Sequence, residues 1–287
     1  MSGAAGTDTT ETVEPKRQAI PIGVRIAIGL FASVVLISIF APLLPFDPYK
    51  QDLMTMLSPP SAAHPFGVDL VGRDVLARVV WGGRPPLLVG VLAVIAALII
   101  GVAAGLWAGY RRGKVDAFLS RLADIQMSIP GLVLALLVLV ILGPSIINLV
   151  IVIALESWPL HFRVVRSHVM AVRSLAYVEV ARLAGMKEIS IILRHIVPGT
   201  LPLLAVTATA NFSHAVLAEA GLSFLGIGVQ PPTPDWGMMV SEGQSQLGAA
   251  WWISIFPGLA LSIVLLCAQI IGDWLSDRFS VRGGAEL

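Results

Sequence analysis

Long uninterrupted apolar runs constrain this chain more than any other feature. They fall at residues 20–44, 86–108, 125–142, 146–160, 201–218 and 253–275. A helix needs about 20 mostly apolar residues to cross roughly 30 Å of hydrocarbon. Five runs are close to that length, and 146–160 is marginal and must tilt little or extend into its flanks. Only 13% of the 287 residues are charged, about half the share in an ordinary soluble domain, so too few charges remain to solvate two soluble surfaces. The expectation is an all-α membrane protein with six transmembrane helices. The first run is too long for a signal-peptide core of roughly 7–15 apolar residues and reads as a retained helix. Residues 1–19 are polar and without apolar period, which predicts a disordered tail; 281–287 form a second short tail.

Orientation follows from the basic residues. Of 19 lysines and arginines, only Lys50, Arg73, Arg78 and Arg84 fall in segments opposite the N-terminus. The excess on the other side places both termini in the cytoplasm. A net charge of +1 offers no polyanion-binding surface, so nucleic acid is not an expected partner. The single Cys267 excludes a disulfide framework or thiolate cluster within the chain.

Two outer segments are long. In 45–85, Val75, Leu76, Val79 and Val80 share a helical face opposite Asp74, Ala77 and Arg78, which predicts an interfacial helix lying flat on the leaflet. In 219–252, Trp236, Trp251 and Trp252 suit the headgroup level. The inner segment 161–199 is longer than a connection requires. Ser174 can cap a helix opened by Tyr177 and Val178, with Leu175, Val178, Leu183 and Met186 giving partial apolar spacing. Gly185 suits a left-handed helix end, and a second helix runs from Glu188 to Ile196, ending before Pro198.

Ionisable groups in apolar runs are costly and call for a partner or a pathway. Glu156, near the inner end of the fourth run, either lines an inward-open cavity or pairs with Arg163 or His161. Asp124 is expected to pair with Arg121. His214, near Asn211, either faces the pathway or makes a hydrogen bond inside the bundle. His161 and His168 can share a helical face, but two imidazoles do not complete a metal site. Ser223 lies in no Gly-x-Ser-x-Gly motif, and no catalytic set emerges. The Walker A pattern is absent; Arg112-Gly113-Lys114-Val115 lacks its spacing and hydroxyl.

Glu179-Val180-Ala181, three residues, Gly185, nine residues, then His195-Ile196-Val197-Pro198 resembles the EAA loop of ABC importer permeases. Val180, His195 and Val197 depart from that pattern, while its spacing is intact. Gly72-Arg73-Asp74-Val75-Leu76-Ala77-Arg78 resembles the segment before the second span of dipeptide and oligopeptide permeases of the C type. The stretch from Ala218 to Gly237, with Gln230-Pro231-Pro232-Thr233-Pro234-Asp235-Trp236-Gly237, resembles that subfamily's outer signature. The resemblance spans about residues 20–280. It implies a type I ABC importer permease fold in the bacterial plasma membrane, paired with a homologous second permease. It also implies ATPase subunits (two chains or one fused chain) that bind ATP and Mg, and an extracytoplasmic solute-binding protein. This chain is then no enzyme and holds no cofactor. The resemblance further implies that 161–199 is the coupling loop, with Glu179, Ala181, Arg182, Gly185 and Pro198 as its docking residues. The small Ala181 and Gly185 would let a partner approach closely. Asp235, Trp236 and Gly237 would serve the outer gate or contact the binding protein. The implied cargo is a dipeptide or oligopeptide, with nickel or another small solute as the alternative. An ion-coupled secondary carrier is the reading from a different class.

Overall fold

The computed structural model describes residues 20–283. It is helical: α1 (Ile22–Ile39), α2 (Val75–Gly82), α3 (Arg84–Arg111), α4 (Gly113–Met127), α5 (Gly131–Leu142), α6 (Ile146–Arg173), α7 (Ala176–Leu183), α8 (Glu188–Ile191), α9 (Val197–Phe224), α10 (Trp236–Gln244) and α11 (Trp252–Gly283). Five helical segments are long and apolar enough to cross a membrane: α1, α2 with α3, α6, α8 through α9, and α11. The tail expected over 1–19 lies outside the described residues. Of that over 281–287, the first three are described, as the last turn of α11.

The third expected span, 125–142, is not one helix. It breaks between Met127 and Gly131, where α4 and α5 meet at 89°. Pro130 has no amide to continue the ladder and disfavours helical backbone at the residue before it. A sixth span exists only if this bent pair counts as one. The short fourth run extends into its flank. From its Ser145 cap, whose hydroxyl accepts from the Asn148 amide at 3.1 Å, α6 runs on to Arg173. The first third of the stretch expected as loop is therefore helix.

Side-chain pairs explain both departures. Pro159 sits inside α6 and leaves the Leu155 carbonyl without its usual donor. The Gln126 side-chain amide of α4 donates to that carbonyl, and its oxygen accepts from Trp158 Nε1 at 2.8 Å. Asp116 pairs with Arg166, and Asp124 pairs with Arg163 at 2.6 Å. The expected partner of Asp124, Arg121, is not the one it meets. Three polar side chains of α4 thus tie it to α6.

The most extensively packed pair is α3 with α6. Gly101, Gly105 and Gly109 recur every fourth residue on α3. A Cβ there would come within 2.6–2.8 Å of the Cβ atoms of His161, Val165 and Val169. This spacing of small residues lets two backbones approach where no water drives association. Around that contact lie two buried clusters. One joins Val89, Ala93, Leu149, Ile153 and Ala215; the other joins Tyr110, Val165 and Val169 to the α7–α9 junction.

α2, α10 and their loops form a cap over one end of the bundle. The expected interfacial helix is instead an internal part of this cap. Asp74 caps α2, accepting from the Ala77 amide at 2.8 Å. Val75, Ala77, Arg78 and Val79 are all buried, so the face read as polar points inward. Trp236 and Trp252, expected at the headgroup level, are buried and donate to the carbonyls of Val79 and Val68 at 2.8 and 3.1 Å. Trp251 stays exposed.

Candidate functional site

Three places gather the residues singled out by sequence: a knob at the end opposite the cap, a polar pair at mid-depth, and the cap's inner wall.

The knob is built from α7, α8 and the wide turn Ile192–Ile196 that leads into α9. α7 opens at Ala176 after Leu175, without a side-chain cap. Ser174 instead donates to the Ala171 carbonyl at 2.7 Å and closes α6. α7 ends at Gly185, whose φ is +79°. The Met186 amide reaches the Ala181 carbonyl and the Gly185 amide the Arg182 carbonyl, at 3.2 and 3.0 Å, the double closure of a left-handed helix end. Pro198 does not stop the second helix. The Val197 amide donates to the Ile192 carbonyl, and this widened turn carries the chain past the missing Pro198 amide into α9.

Which face looks outward differs from the sequence reading. Val178 and Ala181 are buried against Ile191, Ile196 and the end of α6. Ala181 therefore packs the knob onto its own bundle and offers no surface to a partner. Glu179, Arg182, Gly185 and Pro198 are exposed. So are Tyr177, Val180 and Leu183, three residues apart along α7, with Leu183 82% exposed. These three were not among the sequence candidates. Their spacing was the available signal, although Leu183 also belongs to the partial row Leu175, Val178, Leu183 and Met186. Tyr177, Val180 and Leu183 form an exposed apolar row on the outward face of α7.

At mid-depth the structure brings together Glu156 of α6 and His214 of α9. His214 Nε2 lies 3.6 Å from Glu156 Oε1, with the side chains 53% and 22% exposed. Each residue is ten positions from the cap-side end of its helix, about 15 Å at 1.5 Å per residue, which is the middle of a bilayer. Glu156 is thus mid-span rather than near an end, and its partner is neither Arg163 nor His161. It also abuts Gly131, at the N-terminus of α5, where a helix dipole favours negative charge. Asn211 turns away from this pair and is buried. Its amide donates to His161 Nε2 at 3.0 Å, while His161 Nδ1 meets the Thr207 hydroxyl at 3.2 Å. Asn211 therefore ties α9 to α6 and lines no opening. His168 is apart from His161, its ring against Gly199.

Asp235, Trp236 and Gly237 are all buried in the cap wall. Asp235 caps α10, accepting from the Met238 amide at 3.1 Å. Glu219, also buried, accepts from Ser223 Oγ at 2.8 Å. A Cβ on Gly237 would overlap the Ala220 carbonyl. These residues clamp α10 to α9 and present no side chain to an outside protein. Burial raises the Asp235 carboxyl from 3.8 to about 6, outweighing the hydrogen bonds around it, which lower it. Between those values the folded chain keeps a proton that the unfolded chain has released, so stability falls as pH rises. Asp235→Asn keeps the cap and cannot ionise. Its unfolding temperature in detergent is expected to exceed that of the native chain by roughly 5 °C at pH 7.5, a few degrees per kcal/mol, with the gap closing at pH 4. An equal gap at both pH values would refute the ionisation as its source.

Comparison with known proteins places this geometry. Residues 101–281 match the family described as binding-protein-dependent transport system inner membrane component. The dipeptide transport system permease protein DppC of Alkalihalophilus pseudofirmus is 41% identical over 254 residues, covering 88% of this chain and 84% of that protein. The probable D,D-dipeptide transport system permease protein DdpC of Escherichia coli K12 is 36% identical, with 98% of each chain covered. The glutathione transport system permease protein GsiD of Pectobacterium atrosepticum is 36% identical over 90% of this chain and 87% of that protein. Among solved structures, the inward-facing MetNI methionine ABC transporter aligns with a TM-score of 0.58 at 20% identity, over 70% of this chain and 95% of that one.

Proposed function

Because this chain belongs to the inner-membrane components of binding-protein-dependent transport systems, we propose that it moves small peptides across the plasma membrane as half of a pathway driven by separate ATPase subunits. It is a multi-pass ABC importer permease, a transport subunit without catalysis of its own. Membership in this family sets aside the ion-coupled carrier. The observation that carries the mechanical reading is the knob. Its inward face is fixed to the bundle by Val178, Ala181, Ile191 and Ile196, while Tyr177, Val180 and Leu183 project an apolar row outward. A lever needs this combination of rigid attachment and a free gripping surface.

In this reading the knob end is cytoplasmic, in keeping with the basic excess on that side. A groove on an ATPase takes the apolar row, with Glu179 and Arg182 at its charged rim. Gly185 and Pro198 set the backbone path beside it. ATP and Mg bind in those partner subunits. Closure of the ATPases moves α7, and with it α6 and α9, whose facing groups include Glu156 and His214. A homologous second permease completes the pathway, so that this half-exposed pair faces it at the midplane, where transporters hold cargo. The Glu156 carboxylate there suits the ammonium end of a peptide. Peptide cargo also agrees with the dipeptide and glutathione permeases named above. The binding protein meets the cap through exposed groups other than Asp235, Trp236 and Gly237.

The test is purification of the native particle followed by reconstitution. The expected particle contains an ATPase and a second permease, and takes up dipeptide only with ATP and a binding protein. This chain alone is expected to show no ATP hydrolysis. Solute uptake by the chain unaided would overturn the reading.

A further inference from the structure

A groove of about 610 Å³ lies between α1, α3, α9 and α11. Its walls are apolar: Phe31 and Val35 of α1, Leu88 and Val91 of α3, Phe212 of α9 and Ile271 of α11. Phe31 and Phe212 meet edge to face at 5.8 Å, and Leu88 and Val91 remain nearly half exposed. The two hydroxyls along it are committed or buried. Thr209 donates to the Ala205 carbonyl at 2.6 Å, and Ser38 is buried.

One end of the groove differs. Arg84, the first residue of α3, lines it and stands 5.2 Å over the Trp81 ring. Trp81 in turn meets Tyr49 at 6.2 Å. Arg84 pairs with no carboxylate among the described residues. A cluster of Trp, Tyr and Arg at a helix end is what marks the headgroup level of a bilayer. From Arg84 the groove follows α3 to Val91, about 10 Å at 1.5 Å per residue, within the depth of one leaflet of roughly 15 Å.

We propose that this groove is a phospholipid site, with the phosphate on Arg84 and one acyl chain between α1 and α3. The charge decides the occupant. An apolar helix of another subunit seated here would cover an arginine without supplying a counter-charge, at a cost of several kcal/mol. A phospholipid brings the anion and the hydrocarbon together, spaced as Arg84 and the apolar walls are. The inference requires only that the chain lie in a bilayer and is independent of its cargo.

The experiment uses the full chain, purified in mild detergent with whatever subunits accompany it. The probes are phosphatidylglycerol and diacylglycerol, which shares the acyl chains and lacks the phosphate. Retained lipid is counted by native mass spectrometry. The native chain is expected to retain phosphatidylglycerol and not diacylglycerol. Arg84→Gln is expected to weaken retention about tenfold, the scale of one charge-assisted hydrogen bond. Val91→Trp, which fills the groove, is expected to abolish it. Arg84 is exposed, so its variant reads the site even if Val91→Trp fails to fold. Equal retention by the native chain and Arg84→Gln would overturn the proposal. So would a disulfide between Leu88→Cys and a cysteine of a second permease in native membranes.

Discussion

Replacing Leu183 by glutamate is expected to cut ATP-driven uptake at least thirtyfold while leaving the bundle intact. Leu183 closes α7 with its side chain 82% exposed, so nothing in this chain depends on it. Surface changes of that kind alter stability by about 0.5 kcal/mol or less. If an ATPase groove takes the apolar row of Tyr177, Val180 and Leu183, the new carboxylate must be desolvated there without a partner. Central interface residues cost about 2 kcal/mol or more on replacement, roughly a thirtyfold weakening. The measurement is threefold: unfolding temperature, recovery of the ATPase with the permease, and peptide uptake in proteoliposomes. Unchanged unfolding with lost ATPase recovery and lost uptake is the expected pattern. Native uptake with the ATPase still attached would remove the outward row from the coupling surface. Ala181 supplies the contrast. It is buried, so enlarging it disturbs how the knob sits on α6 and lowers the unfolding temperature as well.

What the sequence revealed depended on whether a property is local. Apolar runs are local, and each long run contains a helix. The left-handed Gly185 is local too, since only its own backbone decides it, and φ is +79° there. Pro130 is local as well, but average apolarity over 125–142 does not register the bend it makes between α4 and α5. Pairing across elements was not legible. His161, Arg163 and Arg166 looked like loop residues because they are polar. Yet His161 is satisfied by Asn211 and Thr207 from α9, while the two arginines meet Asp124 and Asp116 of α4. With these groups paired, α6 continues through them. The same limit governed the site. Glu156 and His214 were each legible alone, but their separation by 58 positions hid that they face one another. For Ala181 and Asp235 the motif was plain but its direction was not, because a small residue or a helix cap serves the interior as readily as a partner.

The cap holds the change expected to cost most in stability. Arg78 is buried, and its Nη1 donates to Asp69 Oδ2 at 2.8 Å and to Glu242 Oε2 at 2.6 Å. Arg73 supports the same carboxylates, with Nε at 2.6 Å from Asp69 and Nη2 at 3.4 Å from Glu242. Asp69 comes from the long loop before α2 and Glu242 from α10, so the two arginines join segments more than 160 positions apart. Arg78→Ala strands a buried Asp69 with half its cationic support, which for a broken buried pair costs about 3–5 kcal/mol. At roughly 2–4 °C per kcal/mol, the unfolding temperature is expected to fall by about 10 °C. The origin of that loss is separable. If it comes from the stranded charges rather than from lost packing, Arg78→Met and Arg73→Met combined with Asp69→Asn and Glu242→Gln should recover most of it, because a neutral set of similar volume carries no uncompensated charge. A drop below about 2 °C for Arg78→Ala would mean the network is solvated and holds nothing together. A full drop with no recovery in the quadruple variant would assign the loss to packing of the Arg78 side chain against α2 and α10.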